Sequence, residues 1–101
     1  MFVVTVMYPA GPKFDLDYYV KTHTPLVHDR MGPMGLKSVE ILKGVGAPAG
    51  AATYQITCIL SFASAESFQA AIGAHGAEII GDIKNFTEAQ PVMQFNEPVA
   101  A

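Results

Sequence analysis

Charge is scarce in this chain. Only 15% of its 101 residues are Asp, Glu, Lys or Arg, while 50% are hydrophobic. So few charges cannot cover the surface of a small lone domain, and an apolar face buried in a partner is expected. Basic residues are fewer still, 6 Lys and Arg against 9 acids, for a net charge of −3 and a pI near 5.4. Scattered as they are, they make no phosphate-binding stripe, and nucleic acid is not expected as a partner. Cysteine is nearly absent. Cys58 stands alone in an apolar run, cannot form an internal disulfide, and reads as a buried small hydrophobe in a reducing compartment. Long apolar runs are missing too, so no segment is a candidate membrane span. The opening Met-Phe-Val-Val-Thr-Val-Met carries no basic leader and is too short for a secretion signal, so a soluble cytoplasmic protein is expected. The glycines of 44–50 join two strands, not a strand and a helix, so they are no phosphate loop and no nucleotide cofactor is expected.

What is present alternates in period. Residues 1–101 are short enough for one domain with one modest core. Phe2 to Tyr8 is rich in β-branched and aromatic residues and stops at Pro9-Ala-Gly-Pro12, the pattern of a strand with a sharp end. Val4, Val6 and Tyr8 share one face; Val3, Thr5 and Met7 share the other, so both faces are largely apolar. Leu36 to Val45 and Thr53 to Phe62 read as two more strands joined by a long, small-residue hairpin loop. Ser64 caps a second helix, with Phe68, Ile72, His75 and Ile79 on its core stripe. Asp82 to Ala89 reads as a loop, and Pro91 to Asn96 as a short fourth strand.

The most informative stretch is Phe14 to Asp29. Asp15 is a good N-cap, and Asp17 is a solvated first-turn charge. Leu16, Tyr19/Val20, His23 and Leu26/Val27 then fall at helical spacing, with Tyr19 and His23 four residues apart on the core-facing stripe. Pro25 has no amide hydrogen and pushes Thr24 away from helical geometry, so a kink or restart is expected there. His28 lies past the proline and is expected to face solvent.

The acidic cap, the aromatics and the His-x-Pro-Leu run of Asp15, Tyr18, Tyr19, His23, Pro25 and Leu26 resemble the signature of the EthD family, small proteins of the dimeric α/β-barrel group. Length and element order fit the same family over the whole chain. The order β-α-β-β-α-β with right-handed crossovers gives a ferredoxin-like α+β sandwich, both helices on one face of a four-stranded antiparallel sheet. The resemblance implies a homodimer whose two sheets close into a barrel through the open face.

A pocket between sheet and helices would hold a hydrophobic oxygenated or aromatic small molecule. His23 is the candidate acid or base, with Tyr19 as its catalytic partner. Tyr8, Tyr18, Leu26, Phe68, Ile72 and His75 are the candidate substrate-binding residues, and the helix phase leaves open which of Tyr18 and Tyr19 faces inward. Related barrels suggest cofactor-free isomerisation, cyclisation or oxygenation; the family also allows a non-catalytic carrier that assists an oxidative degradation pathway. His23, His28 and His75 do not form a metal-ligand spacing. No metal or other cofactor is expected, with haem on a helix histidine, as in some barrel relatives, the alternative. A ferredoxin-like RNA reader would need basic charge, which this chain lacks.

Overall fold

The computed structural model describes residues 1–100. Strands β1 (Phe2–Pro9), β2 (Leu36–Lys43), β3 (Tyr54–Phe62) and β4 (Val92–Asn96) form a four-stranded sheet in the order β2-β3-β1-β4, and each neighbouring pair is antiparallel. β2 ends at Lys43, two residues before the expected Val45: the Gly44 amide still bonds the Gln55 carbonyl, and Val45 is fully out in solvent. Both helical segments pack on one face. No helix among the described residues is long and apolar enough to cross a membrane.

The first helical segment, residues 16–31, is built in three pieces. α1 (Leu16–Tyr18) is capped by Asp15, whose carboxylate accepts the Tyr18 amide at 3.1 Å. A π-helical turn follows (Tyr19–His23), then α2 (Thr24–Met31) with Pro25 in its first turn. Pro25 therefore does not throw Thr24 out of helical geometry, as its sequence position predicts; Thr24 keeps φ −63° and ψ −44°. The wider turn absorbs the conflict. Both the amide and the hydroxyl of Thr24 donate to the Tyr19 carbonyl, which satisfies one of the backbone oxygens stranded beside the proline. α3 (Ala65–Gly81) starts at Ser64, whose hydroxyl accepts the Ser67 amide at 3.0 Å.

Residues 82–89, expected as a loop, are ordered by packing. A 3-10 turn (Ile83–Asn85) leads into buried Phe86 and Thr87. The Asp15 amide bonds the Phe86 carbonyl at 2.8 Å, and the Thr87 hydroxyl donates to the Lys13 carbonyl at 2.7 Å. This ties the chain after α3 to the chain before α1.

The register sorts the sheet's two faces. Toward the helices lie Val4, Val6, Tyr8, Ile56, Cys58 and Phe62, all buried. On the other face the rows grade along the strands. Val92, Met7, Thr57 and Leu42 make one row; Gln94, Thr5, Ile59 and Glu40 the next; Asn96, Val3, Ser61 and Ser38 the last. The outer face is thus less apolar than β1 alone suggests, and its apolar end is the one near Pro9. At the other end Asn96 donates to the Val3 carbonyl and the Thr5 hydroxyl.

Two glycines make opposite predictions. Gly35 ends the turn after α2 with φ +105°, and a Cβ there would stand 2.7 Å from Ser67 Cβ. Gly73 lies exposed inside α3, and a Cβ there would meet nothing within 4 Å. Gly35→Ala is expected to lower unfolding free energy by about 1–3 kcal/mol, and Gly73→Ala to raise it by roughly 0.5–1 kcal/mol. Urea denaturation of both variants measures the two signs.

Candidate functional site

The site is assembled around Phe86. The rings of Tyr19 (5.0 Å), Phe14 (5.2 Å), Tyr8 (5.8 Å) and His23 (4.7 Å) pack against it, centroid to centroid. His23 is 5% exposed and stacks on Tyr19 at 5.4 Å with 17° between the planes. Tyr19 and His23 bound the π-helical turn and lie on the same wall, one above the other.

A buried imidazole among aromatic rings needs a polar partner. It has one that no local sequence pattern signals. His23 Nδ1 lies 2.9 Å from Asp82 Oδ2. Asp82 caps the C-terminal end of α3, where its amide bonds the Ile79 and Ile80 carbonyls. Its other oxygen, Oδ1, accepts the Tyr18 hydroxyl at 2.7 Å and the Asn85 side-chain Nδ2 at 2.8 Å. Burial pushes this carboxyl up, but the Asn85, Tyr18 and His23 hydrogen bonds outweigh it and hold the group below the usual carboxylate range.

An apolar cavity of about 60 Å³ lies between the middle of the sheet and the helices. Val4, Val6, Val39, Cys58 and Leu60 floor it, and Tyr8, Tyr19 and His23 bring polar groups to it. Among the described residues Tyr8 Oη and His23 Nε2 make no hydrogen bond, while no buried side-chain nitrogen or oxygen lacks a partner. Those two atoms therefore touch open space. Burial, and next to it the Cys58 thiol, push the Tyr8 and Tyr19 phenols far above their ordinary range. Both stay protonated, and the Tyr19 hydroxyl is hydrogen-bonded to the Cys58 thiol. Burial also pushes the Cys58 thiol up, so it is an inert wall, not a nucleophile. The exposed lining residues Ile80 and Met93 mark where the cavity opens. Beyond them a wider groove is lined by Ile80, Ile83, Lys84, Thr87 and Glu88.

Of the expected pocket residues, Tyr8, Tyr19, His23, Phe68 and Ile72 line the cavity. Tyr18, Leu26 and His75 do not, which corrects the expectation from sequence. Tyr18 turns outward behind Phe86 to reach Asp82, which settles the choice of inward tyrosine in favour of Tyr19. Leu26 packs at the rim of the core, half-buried. His75 shares the stripe of Ala71 and Ile79 but is only half-buried and lies outside the cavity lining. His28 is exposed. Among the described residues no group of three or more His, Cys, Asp or Glu side chains gathers as metal ligands.

No family model and no curated protein matches the chain. Solved structures do. An EthD-like protein from Ralstonia eutropha JMP134 is 39% identical over 98% of this chain and 92% of its own, with a TM-score of 0.89. An ethyl tert-butyl ether D (EthD) family protein from Bacillus halodurans C-125 is 21% identical over 98% of this chain and 99% of its own, TM-score 0.74. A monooxygenase from the gene ActVA-Orf6 of Streptomyces coelicolor, in complex with nanaomycin D, is 19% identical over 99% of this chain and 88% of its own, TM-score 0.69. The latter two share the fold.

The depressed Asp82 carboxyl fixes a pH effect. A folded-state value below the unfolded one, about 3.9 for Asp, adds stability above that pH that is lost as pH falls through the folded value. Thermal denaturation from pH 6 down to pH 2 is therefore expected to show a smaller acid-induced loss of Tm in Asp82→Asn than in the unaltered protein.

Proposed function

The chain belongs to the EthD family, and on that premise we propose that it binds a hydrophobic oxygenated or aromatic small molecule in the cavity and moves protons on it, without a cofactor, through His23. The observation that carries this reading is the unpartnered Nε2 of His23 opening on an apolar space beside the protonated hydroxyls of Tyr8 and Tyr19. An imidazole nitrogen free to take a proton, with the Tyr8 hydroxyl as a donor for a carbonyl or phenolic oxygen, is the equipment of enolisation, cyclisation and the deprotonation that precedes oxygenation of an electron-rich ring. Phe68 and Ile72 give the apolar contact that orients the rest of the molecule. The monooxygenase of similar fold that holds nanaomycin D supports an oxygenated aromatic as the ligand class.

The working form is a homodimer in the cytoplasm. Its seat is the apolar end of the outer sheet face, where Leu42 is 46% and Val92 45% exposed beside Met7. Light scattering is expected to give about twice the 10.8 kDa chain mass, and Leu42→Glu with Val92→Glu to halve it.

Turnover is tested on a panel of hydroquinones, naphthols and β-diketones, with binding followed by shift in Tm. His23→Ala is expected to cut turnover by roughly 10²-fold or more, the range of a positioned acid–base group, with the dimer mass kept and Tm lowered by the loss of the Asp82 bond. Full activity in His23→Ala would remove His23 from the chemistry. Binding of a panel compound with no turnover in the unaltered protein would instead establish a carrier.

A further inference from the structure

We propose that Asp82 is a positioning residue for His23: it fixes the imidazole in the tautomer that carries its proton on Nδ1 and presents Nε2 bare to the cavity. The proposal rests on the reading of His23 as the acid–base group, and it assigns the direction in which that group starts. His23 begins as a base.

The geometry carries the argument. A carboxylate has acceptors only, so the nitrogen 2.9 Å from Asp82 Oδ2 must bear the hydrogen. The carboxylate cannot turn away, because Oδ1 is held by the Tyr18 hydroxyl and the Asn85 amide while the backbone of Asp82 is fixed at the end of α3. The imidazole cannot flip either, being stacked on Tyr19 on one side and packed 4.7 Å from Phe86 on the other. Two anchored partners leave one tautomer. An alternative in which Asp82 merely ties α3 to the first helical segment would put the same proton on Nδ1, but it would leave kcat unchanged in folded Asp82→Asn.

The same hydrogen bonds dictate what Asp82→Asn does. Two of the three donors converge on Oδ1 and one on Oδ2. The asparagine oxygen is expected to take the side with two donors. Its NH2 group then faces His23 Nδ1, which has to accept, and the ring proton moves to Nε2. The base at the cavity becomes a donor with no change in shape.

The experiment is long-range nitrogen–proton correlation NMR of the ¹⁵N-labelled protein at alkaline pH, with the His23 signals assigned by their loss in His23→Gln. In the unaltered protein Nδ1 is expected to be pyrrole-like and Nε2 pyridine-like; in Asp82→Asn the two should exchange character. Where a panel compound is turned over, Asp82→Asn is expected to lower kcat by roughly 10²-fold or more and leave KM within about threefold, a split that a loosened fold would not give. A pyrrole-like Nε2 in the unaltered protein overturns the proposal, and that spectrum decides alone if the variant does not fold. An unchanged tautomer in folded Asp82→Asn overturns it as well. The spectra need no substrate, so the two readings fail separately. A tautomer set by Asp82 in a protein that turns nothing over supports the positioning and removes the catalysis. Turnover that needs His23 but survives Asp82→Asn at full rate does the reverse.

Discussion

One buried imidazole needs a carboxylate, and the helical layer is arranged to supply it. An unpaired polar group in this setting costs about 1–3 kcal/mol, more than the roughly 0.5–1.5 kcal/mol that a stacked ring such as Tyr19 returns. His23 at 5% exposure is therefore tolerable only because Asp82 arrives from 59 residues away. Asp82 in turn depends on where α3 stops and on how residues 83–89 continue. Those residues are held by the Asp15–Phe86 backbone bond and the Thr87–Lys13 hydrogen bond, both made to the segment that opens the first helix. The Phe86 ring between them packs on Tyr8, Tyr19 and His23. The candidate site residues, the helix entry and the helix exit thus form one closed unit.

Much of the fold is legible because it is written in local periods. The alternation of β1, the caps at Asp15 and Ser64, and the helical stripe through Tyr19 and His23 each need only a few neighbouring residues to declare themselves. The site is legible in part, for the same reason: Tyr8, Tyr19, His23, Phe68 and Ile72 lie on stripes that point inward. What stays hidden is non-local. Asp82 follows a helix laced with glycines, and no local pattern says that a carboxylate after such a helix returns to an imidazole on another. His75 shares the stripe of α3 yet is only half-buried and does not line the cavity, which periodicity alone does not tell. Pro25 predicts a break; a π-helical turn, with the Thr24 hydroxyl as an extra donor, is a solution that proline chemistry permits but does not announce.

The sheet's outer face shows why composition alone overstates. Period-2 reading of β1 puts Val3 and Met7 there, and both are apolar. Register adds the neighbours: Val3 sits between Asn96 and Ser61, while Met7 sits between Val92 and Thr57 with Leu42 beyond. Apolar surface is therefore concentrated at one end, not spread over the layer. A partner that covers the Pro9 end removes most of the apolar exposure on this face, and the Asn96–Thr5 end can remain wet with its hydrogen bonds made.

The cavity's size bears on what can enter it. About 60 Å³ is room for about four to six waters at roughly 10–15 Å³ each, far below the approximately 300–1,000 Å³ of pockets that hold drug-sized ligands. The floor cannot supply the difference, since Val4, Val6, Tyr8 and Cys58 are core residues of the sheet. The mouth can. Ile80 and Ile83 line both the cavity and the groove of about 450 Å³ outside it, and Ile80 is exposed. Two isoleucine side chains are thus the wall between an apolar space that ends at His23 and a more polar one that ends in Lys84 and Glu88. A single-ring molecule fits inside only by displacing the rim. A larger one has room only across both spaces. How far the two spaces connect depends on these two side chains.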